Sequence, residues 1–409
     1  MSGQKRLGLV LEGGGARGAY QAGALKALFE AGYIFDGVAG TSVGALNGVM
    51  VAQNRFEDSI KIWKEIDFAN VLNINNNYGE NIAKKNFDQD TLKYFYNYVK
   101  KLIGDGGLDT TKIKNLIKNN IDEKLLRESG IDFGIMTYSV TEKRPLSIFV
   151  SDMPEGQVAD YVMASASFPG FKKTSIDGKE FIDGGIYDNM PINMLLDKGY
   201  NDIVAIETKS SIPKRNPKDK NSQIFYIKPS EKPGRVMNFT QESTERAVLI
   251  GYLDVLKLLR GYAGQNYFID TQNKSPFGYG LCDLCDDLYS EISHIFGEVY
   301  QGLQHLNEVL IKELKLKGNN FAESMLNLYE RIAALEGINR LQIYYFDEFL
   351  GLVSDNLYKI SVETGSKIFK EIKIIMTMDN YFRNNKVWLS IEEYSLVMRS
   401  FYAKKWNWR

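Results

Sequence analysis

Ser42 stands in "GTSVG", with Gly40 and Gly44 two residues away on either side. The apolar run "FDGVAGTS" leads into it and the helical pattern "VGALNGVMVAQ" leads out. A G-x-S-x-G at a strand-to-helix junction sets its serine on a sharp bend, hydroxyl exposed, at the positive end of a helix. Such a position favours an alkoxide and the negative charge that develops beside it. The chemistry it suggests is nucleophilic attack; the alternative is a tight structural turn.

A second glycine turn, "LEGGGARG", fills residues 11–18 after the run "RLGLVL". Gly13, Gly15 and Gly18 spell G-x-G-x-x-G, and Asp36 falls where a ribose-binding carboxylate is expected, so a nucleotide phosphate is one candidate occupant. A transient oxyanion is the other. Both turns close a strand and open a helix, so both can lie at the carboxyl ends of neighbouring strands. Backbone N–H groups of Gly14 and Gly15 would then face Ser42 as an oxyanion hole. A nucleotide site leaves the serine without a task.

A serine nucleophile needs a group to take its proton. The two histidines, His294 and His305, lie far downstream. A carboxylate can serve instead, and Asp-Gly-Gly occurs at Asp105 and at Asp183. Asp105 sits between "YVKKLIG" and Asp109, the pattern of a linker between helices with a glycine C-cap. Asp183 opens "DGGIYDNMP" after the hairpin-like "TSIDGKEFI", a strand-end placement whose glycines let the next backbone pass close to a substrate. Asp183 is therefore the expected general base.

The set "GGGARG", "GTSVG", "ASASFPGF" at 164–171 and "DGG" at 183 resembles the patatin-like phospholipase family, in its bacterial type. Members of that family are lipid acyl hydrolases with a Ser–Asp dyad. The resemblance implies an oxyanion motif at Gly13, Gly14, Gly15, Arg17 and Gly18, with Arg17 shaping the loop. It implies Ser42 as nucleophile on an elbow made by Gly40 and Gly44, and Asp183 as its base. It further implies a three-layer fold and an acyl-serine intermediate. The substrate would be a phospholipid or another acyl-ester lipid, with no metal and no cofactor. The motifs span residues 7–185, and the likeness extends through "ERAVLIGYLDVLKLLRGY" to about residue 270.

The elements that must position these residues read as α/β. "RLGLVLEG", "FDGVAGTS", "DFGIMTYSV", "LSIFV", "NDIVAIET" and "QIFYIKPS" are strand-like and mostly separated by helices or loops, which predicts a mostly parallel sheet covered on both faces. A mainly helical insertion is expected at about 54–130, either covering the site or packing inertly. The loop "TQNKSPFGYG" predicts a boundary, with a catalytic domain over 1–272 and an all-helical domain over 284–409. That second domain could bind a protein partner and hold a lipase latent until it does.

Composition narrows the class. Lys plus Arg number 50 and Asp plus Glu 51 in 409 residues, so no global field invites nucleic acid. No run of 18 apolar residues spans a membrane, and "LGLVL" is too short for a signal peptide. Cys282 and Cys285 in "LCDLC" match neither a disulfide framework nor finger spacing. A cytoplasmic protein is expected. Two stretches leave peripheral membrane contact open: the basic "IPKRNPKDK" at 212–220, and "FYAKKWNWR", where Lys404 and Lys405 adjoin Trp406 and Trp408. The alternatives are a solvated loop and a docked aromatic segment.

Overall fold

A computed structural model describes residues 6–65, 107, 110–168, 171–271 and most of 308–353. The chain divides into two compact units, Met1–Val255 and Leu256–Arg409. Asp105, Pro169, Gly170, both cysteines, both histidines and the 404–408 segment lie outside the described residues.

The first unit begins with two strand-turn-helix passages: β1 (Leu7–Leu11) to α1 (Gly18–Glu30), then β2 (Gly37–Thr41) to α2 (Val43–Ala52). Both strands are almost wholly buried, which is why they read as unbroken apolar or small-residue runs rather than alternating ones. Helices α3 (Phe56–Glu65), α4 (Thr111–Asn120) and α5 (Glu123–Glu128) are the described part of the expected helical insertion. Then come β3 (Asp132–Ser139), β4 (Arg144–Phe149), α6 (Val158–Ser165), β5 (Thr174–Ile176) and β6 (Lys179–Asp183). The unit is completed by α7 (Ile192–Asp197), β7 (Asp202–Ile206), β8 (Gln223–Ile227) and the start of α8 (Gln241–Arg260).

The sheet runs β5-β6-β3-β2-β1-β7-β8, with β4 also paired to β3. From β3 to β8 it is parallel, while β4, β5 and β6 are antiparallel additions. The β5–β6 hairpin turns at Asp177 and Gly178, both at positive φ (49° and 75°), as a two-residue primed turn requires.

One feature of the pairing places the site. Along β3, Met136 is opposite Thr41 of β2, and the next residue, Thr137, is opposite Asp183 of β6. Strand β2 therefore leaves β3 where β6 arrives from the opposite direction. Ser42 follows Thr41, so the serine bend and the Asp183 strand end meet at this gap.

In the second unit, β9 (Phe268–Asp270) pairs in parallel with β10 (Ile343–Tyr345), and α9 covers Phe321–Leu335. Buried Glu330 on α9 accepts the N–H groups of Gln265 (2.7 Å), Asn266 (2.8 Å) and Tyr267 (2.8 Å) through one oxygen. Strand β10 corrects the expectation of helix alone after residue 284. Its Ile-Tyr-Tyr run alternates exposed, buried, exposed, and buried Tyr344 packs against Tyr267 and Phe349, a fit that suits aromatic residues on a strand.

Candidate active site

Ser42 has φ 57° and ψ −127°, a conformation that costs a non-glycine residue about 1–3 kcal/mol and persists only where its surroundings enforce it. Those surroundings are specific. The Ser42 N–H donates to Ser165 Oγ at 3.0 Å, and Thr41 Oγ1 donates to the Asp188 carbonyl at 2.9 Å. A β-carbon at Gly40 would run into the Gly44 carbonyl, and one at Gly44 into the Leu11 carbonyl. Both elbow glycines are there because backbone passes where a side chain would be. The Ser42 carbonyl starts α2 by accepting Ala45 N–H at 2.9 Å.

Asp183 is buried, and its Oδ1 accepts Gly185 N–H at 2.8 Å. The Ser42 hydroxyl lies close enough to the same carboxylate to lower its pKa. Burial pushes the Asp183 pKa up to about 6, while the Ser42 hydroxyl and the Gly185 N–H pull it back. A carboxylate poised there is ionised at neutral pH, yet basic enough to accept a proton from a partner.

The glycine loop sorts its members by task. Gly13 N–H is spent on the Asn189 carbonyl (3.0 Å) and Ala16 N–H on the Val236 carbonyl (2.8 Å). Gly15 sits at φ 57° with the Val236 carbonyl against it, so only glycine fits. Arg17 is buried and bonds outward, Nε to the Gly234 carbonyl (3.0 Å) and Nη1 to the Lys209 carbonyl (2.8 Å), tying the loop to the chain that crosses over it. A β-carbon at Gly18 would strike Val43, so this glycine serves helix packing. Of the five motif residues, Gly14 and Gly15 hold N–H groups without a hydrogen-bond partner among the described residues.

Sequence reasoning missed Asn189. This buried amide donates to the Gly13 carbonyl (3.0 Å) and to Glu12 Oε1 (3.3 Å), and its Oδ1 lies against both Gly13 and Gly185. It thereby joins the glycine loop to the turn after Asp183. Glu12, fully buried, also accepts Thr208 N–H and an ion pair from Lys214 at 3.0 Å. Neither residue sits in a local pattern that announces a role.

Beside Ser42 opens a cavity of about 560 Å³, walled by Leu46, Met50, Ile62, Trp63, Phe168 and Phe239. One polar side chain of its lining, Asn47, is fully engaged. Asn47 donates to the Gly18 carbonyl and Gln21, and accepts from Ser59 and from Trp63 Nε1 at 2.8 Å. The result is a largely apolar recess with Ser42 and Gly15 in its wall.

The structure also places Asp36 and the 212–220 loop. Asp36 lies at the far end of β2 from the glycine loop and accepts Leu7 N–H at 2.8 Å, so the ribose-carboxylate placement fails. In the 212–220 loop, Lys214 pairs with Glu12 and Glu207, Lys218 pairs with Asp197, and Arg215 lies over the Tyr187 ring at 3.8 Å. Among the described residues no group of three or more His, Cys, Asp or Glu side chains is placed to hold a metal ion, and no helix is long and apolar enough to cross a membrane.

The family model described as patatin-like phospholipase matches residues 9–196, the stretch that holds both glycine turns and Asp183. Residues 9–196 are thus similar to patatin-like phospholipase domains. Over 211 residues the chain is 27% identical to patatin-like phospholipase domain-containing protein 7 of Rattus norvegicus, covering 50% of this chain and 14% of that one. Over 208 residues it is 27% identical to lysophospholipase nte1 of Aspergillus terreus, covering 50% and 12%. The chain thus matches only a small part of each relative's length. The crystal structure of VipD from Legionella pneumophila is similar over 94% of this chain and 86% of that one, at 18% identity and a TM-score of 0.40.

Proposed function

We propose that the patatin-like domain hydrolyses fatty-acyl esters of glycerophospholipids or their lyso forms, with Ser42 as nucleophile and Asp183 as general base. The observation that carries this reading is a serine on a strained elbow (φ 57°) beside a buried carboxylate, Asp183, whose pKa stands at about 6 and is lowered by the Ser42 hydroxyl. Asp183 takes the Ser42 proton as Oγ attacks the ester carbonyl carbon. The Gly14 and Gly15 N–H groups receive the oxyanion, whose stabilisation by one donor is typically worth about 10²–10³-fold in rate. As the tetrahedral species collapses, the carbon–alkoxide bond breaks and the Asp183 proton passes to the leaving oxygen. Water then gives a proton to Asp183 and attacks the acyl-Ser42 carbonyl, and the proton returns to Ser42 as the fatty acid departs.

The apolar recess beside Ser42 suits an acyl chain, since burying each methylene contributes about 0.8 kcal/mol. Within this reading the catalytic domain is 1–272. The chain from 284 to 409 acts on access or partners rather than on the chemistry. The test is direct: incubate the purified protein with mixed phospholipids and identify released fatty acids by mass spectrometry. Release is expected from wild type, and none above background from Ser42→Ala or Asp183→Asn. Equal release from wild type and Ser42→Ala would sink the proposal.

A further inference from the structure

The first half of the motif "ASASFPGF" lies at the gap where β2 leaves β3 and β6 arrives. Ser165 is fully buried. Its Oγ accepts the Ser42 N–H at 3.0 Å and donates to the Met136 carbonyl at 2.7 Å, so one hydroxyl bridges the two backbones as they part. Two residues on, the Ser167 carbonyl accepts the Asp183 N–H at 2.9 Å. Ser167 is itself tethered, its Oγ bonded to the Met163 carbonyl (2.9 Å) and to Thr174 Oγ1 (2.7 Å). Between and after them, Ala166 and Phe168 line the cavity.

We propose that Ser165 is a positioning residue that, together with the Ser167 carbonyl, clamps the backbones of Ser42 and Asp183 at the separation the reaction needs. This rests on the dyad reading above. The clamp holds each member by its own N–H and leaves both side chains free. Ser42 needs such a restraint because its backbone is strained, and without an acceptor its N–H is left unpaired and the bend relaxes. Displacing a reacting atom by about 1 Å costs on the order of 10²-fold in rate. The alternation of Ser165 and Ser167 with Ala166 and Phe168 gives the segment two jobs, holding backbone on one side and walling the acyl recess on the other.

The test compares wild type, Ser42→Ala, Ser165→Ala and Ser165→Thr on a soluble p-nitrophenyl ester, with thermal unfolding and fluorophosphonate labelling alongside. Folded Ser165→Ala should lose about 10²-fold in kcat with KM within about threefold, and labelling should slow in parallel. The acid limb of its pH profile should move upward, because a misplaced Ser42 hydroxyl no longer helps hold the Asp183 carboxylate ionised. Ser165→Thr, which keeps the hydroxyl, should recover most of the loss. If Ser165→Ala does not fold, Ser165→Cys carries the same comparison, since a thiol is a weak acceptor. A folded variant without the hydroxyl whose kcat stays within threefold, or whose acid limb does not move, overturns the clamp. Wild type that neither hydrolyses the ester nor labels at Ser42 overturns the dyad reading instead.

Discussion

A buried carboxylate that must be ionised to work burdens the fold that holds it, and in the proposed mechanism Asp183 is such a group. Its folded-state pKa of about 6 lies above the ordinary value of 3.8, so the folded protein binds the proton more tightly than the unfolded chain does. Its stabilising contribution is therefore fully present below the unfolded value and lost as pH rises through about 6. Asp183→Asn removes the titration while keeping an acceptor for Gly185 N–H. At pH 8 this variant should be more stable than wild type by an amount on the order of 3 kcal/mol at most, and near pH 3.5 the difference should vanish. Denaturant unfolding at the two pH values checks it, and a variant less stable at pH 8 contradicts it. The same pKa sets activity the other way: wild-type kcat/KM should fall about tenfold per unit as pH drops below about 6. A pH–rate profile flat down to pH 5 would leave Asp183 without its role as base.

At the scale of elements, the site is an arrangement of strand ends, and Asn189 decides how two of them meet. Asn189→Asp would set a carboxylate against Glu12 and the Gly13 carbonyl, where the amide now donates to both. The loop would move, and with it the Gly14 and Gly15 N–H groups. Turnover should fall by about 10²-fold with KM for a soluble ester little changed. Steady-state kinetics on the folded variant measure this, and a kcat within threefold of wild type would reduce Asn189 to packing. Asn189 also shows what was legible in advance. Ser42 could be read because glycines flank it after an apolar run, and Asp183 because two glycines follow it at the end of a hairpin-like run, so each marked a strand end by itself. The five parallel strands were legible as apolar runs for the same reason. The β3 branch point was not, because Met136 and Thr137 gain their meaning only from partners 95 and 46 residues away. Asn189, Glu12 and Ser165 act through a few buried hydrogen bonds to distant backbone and side chains, which leave no periodicity behind. The β10 strand was hidden because three residues in a helical context carry too little pattern to outweigh it.

At the scale of the whole molecule, the division within α8 separates a unit that holds every group the proposed chemistry uses from one whose described part holds none of them. Ser42, Asp183, the glycine loop, Asn189 and Ser165 all precede Val255, whereas His294 and His305 follow it. In the proposed dyad the Asp183 carboxylate takes the serine proton and leaves none for a histidine. Replacing His294 and His305 together by Asn should therefore leave kcat on a soluble ester within about threefold of wild type, with the acid limb unmoved. Loss of a general base costs about 10²–10⁴-fold, so the two outcomes are well separated. A kcat reduced by about 10³-fold in a folded double variant, with the acid limb abolished, would move the proton acceptor into the second unit. Asp183 would then be a group that orients a histidine rather than one that takes the proton itself.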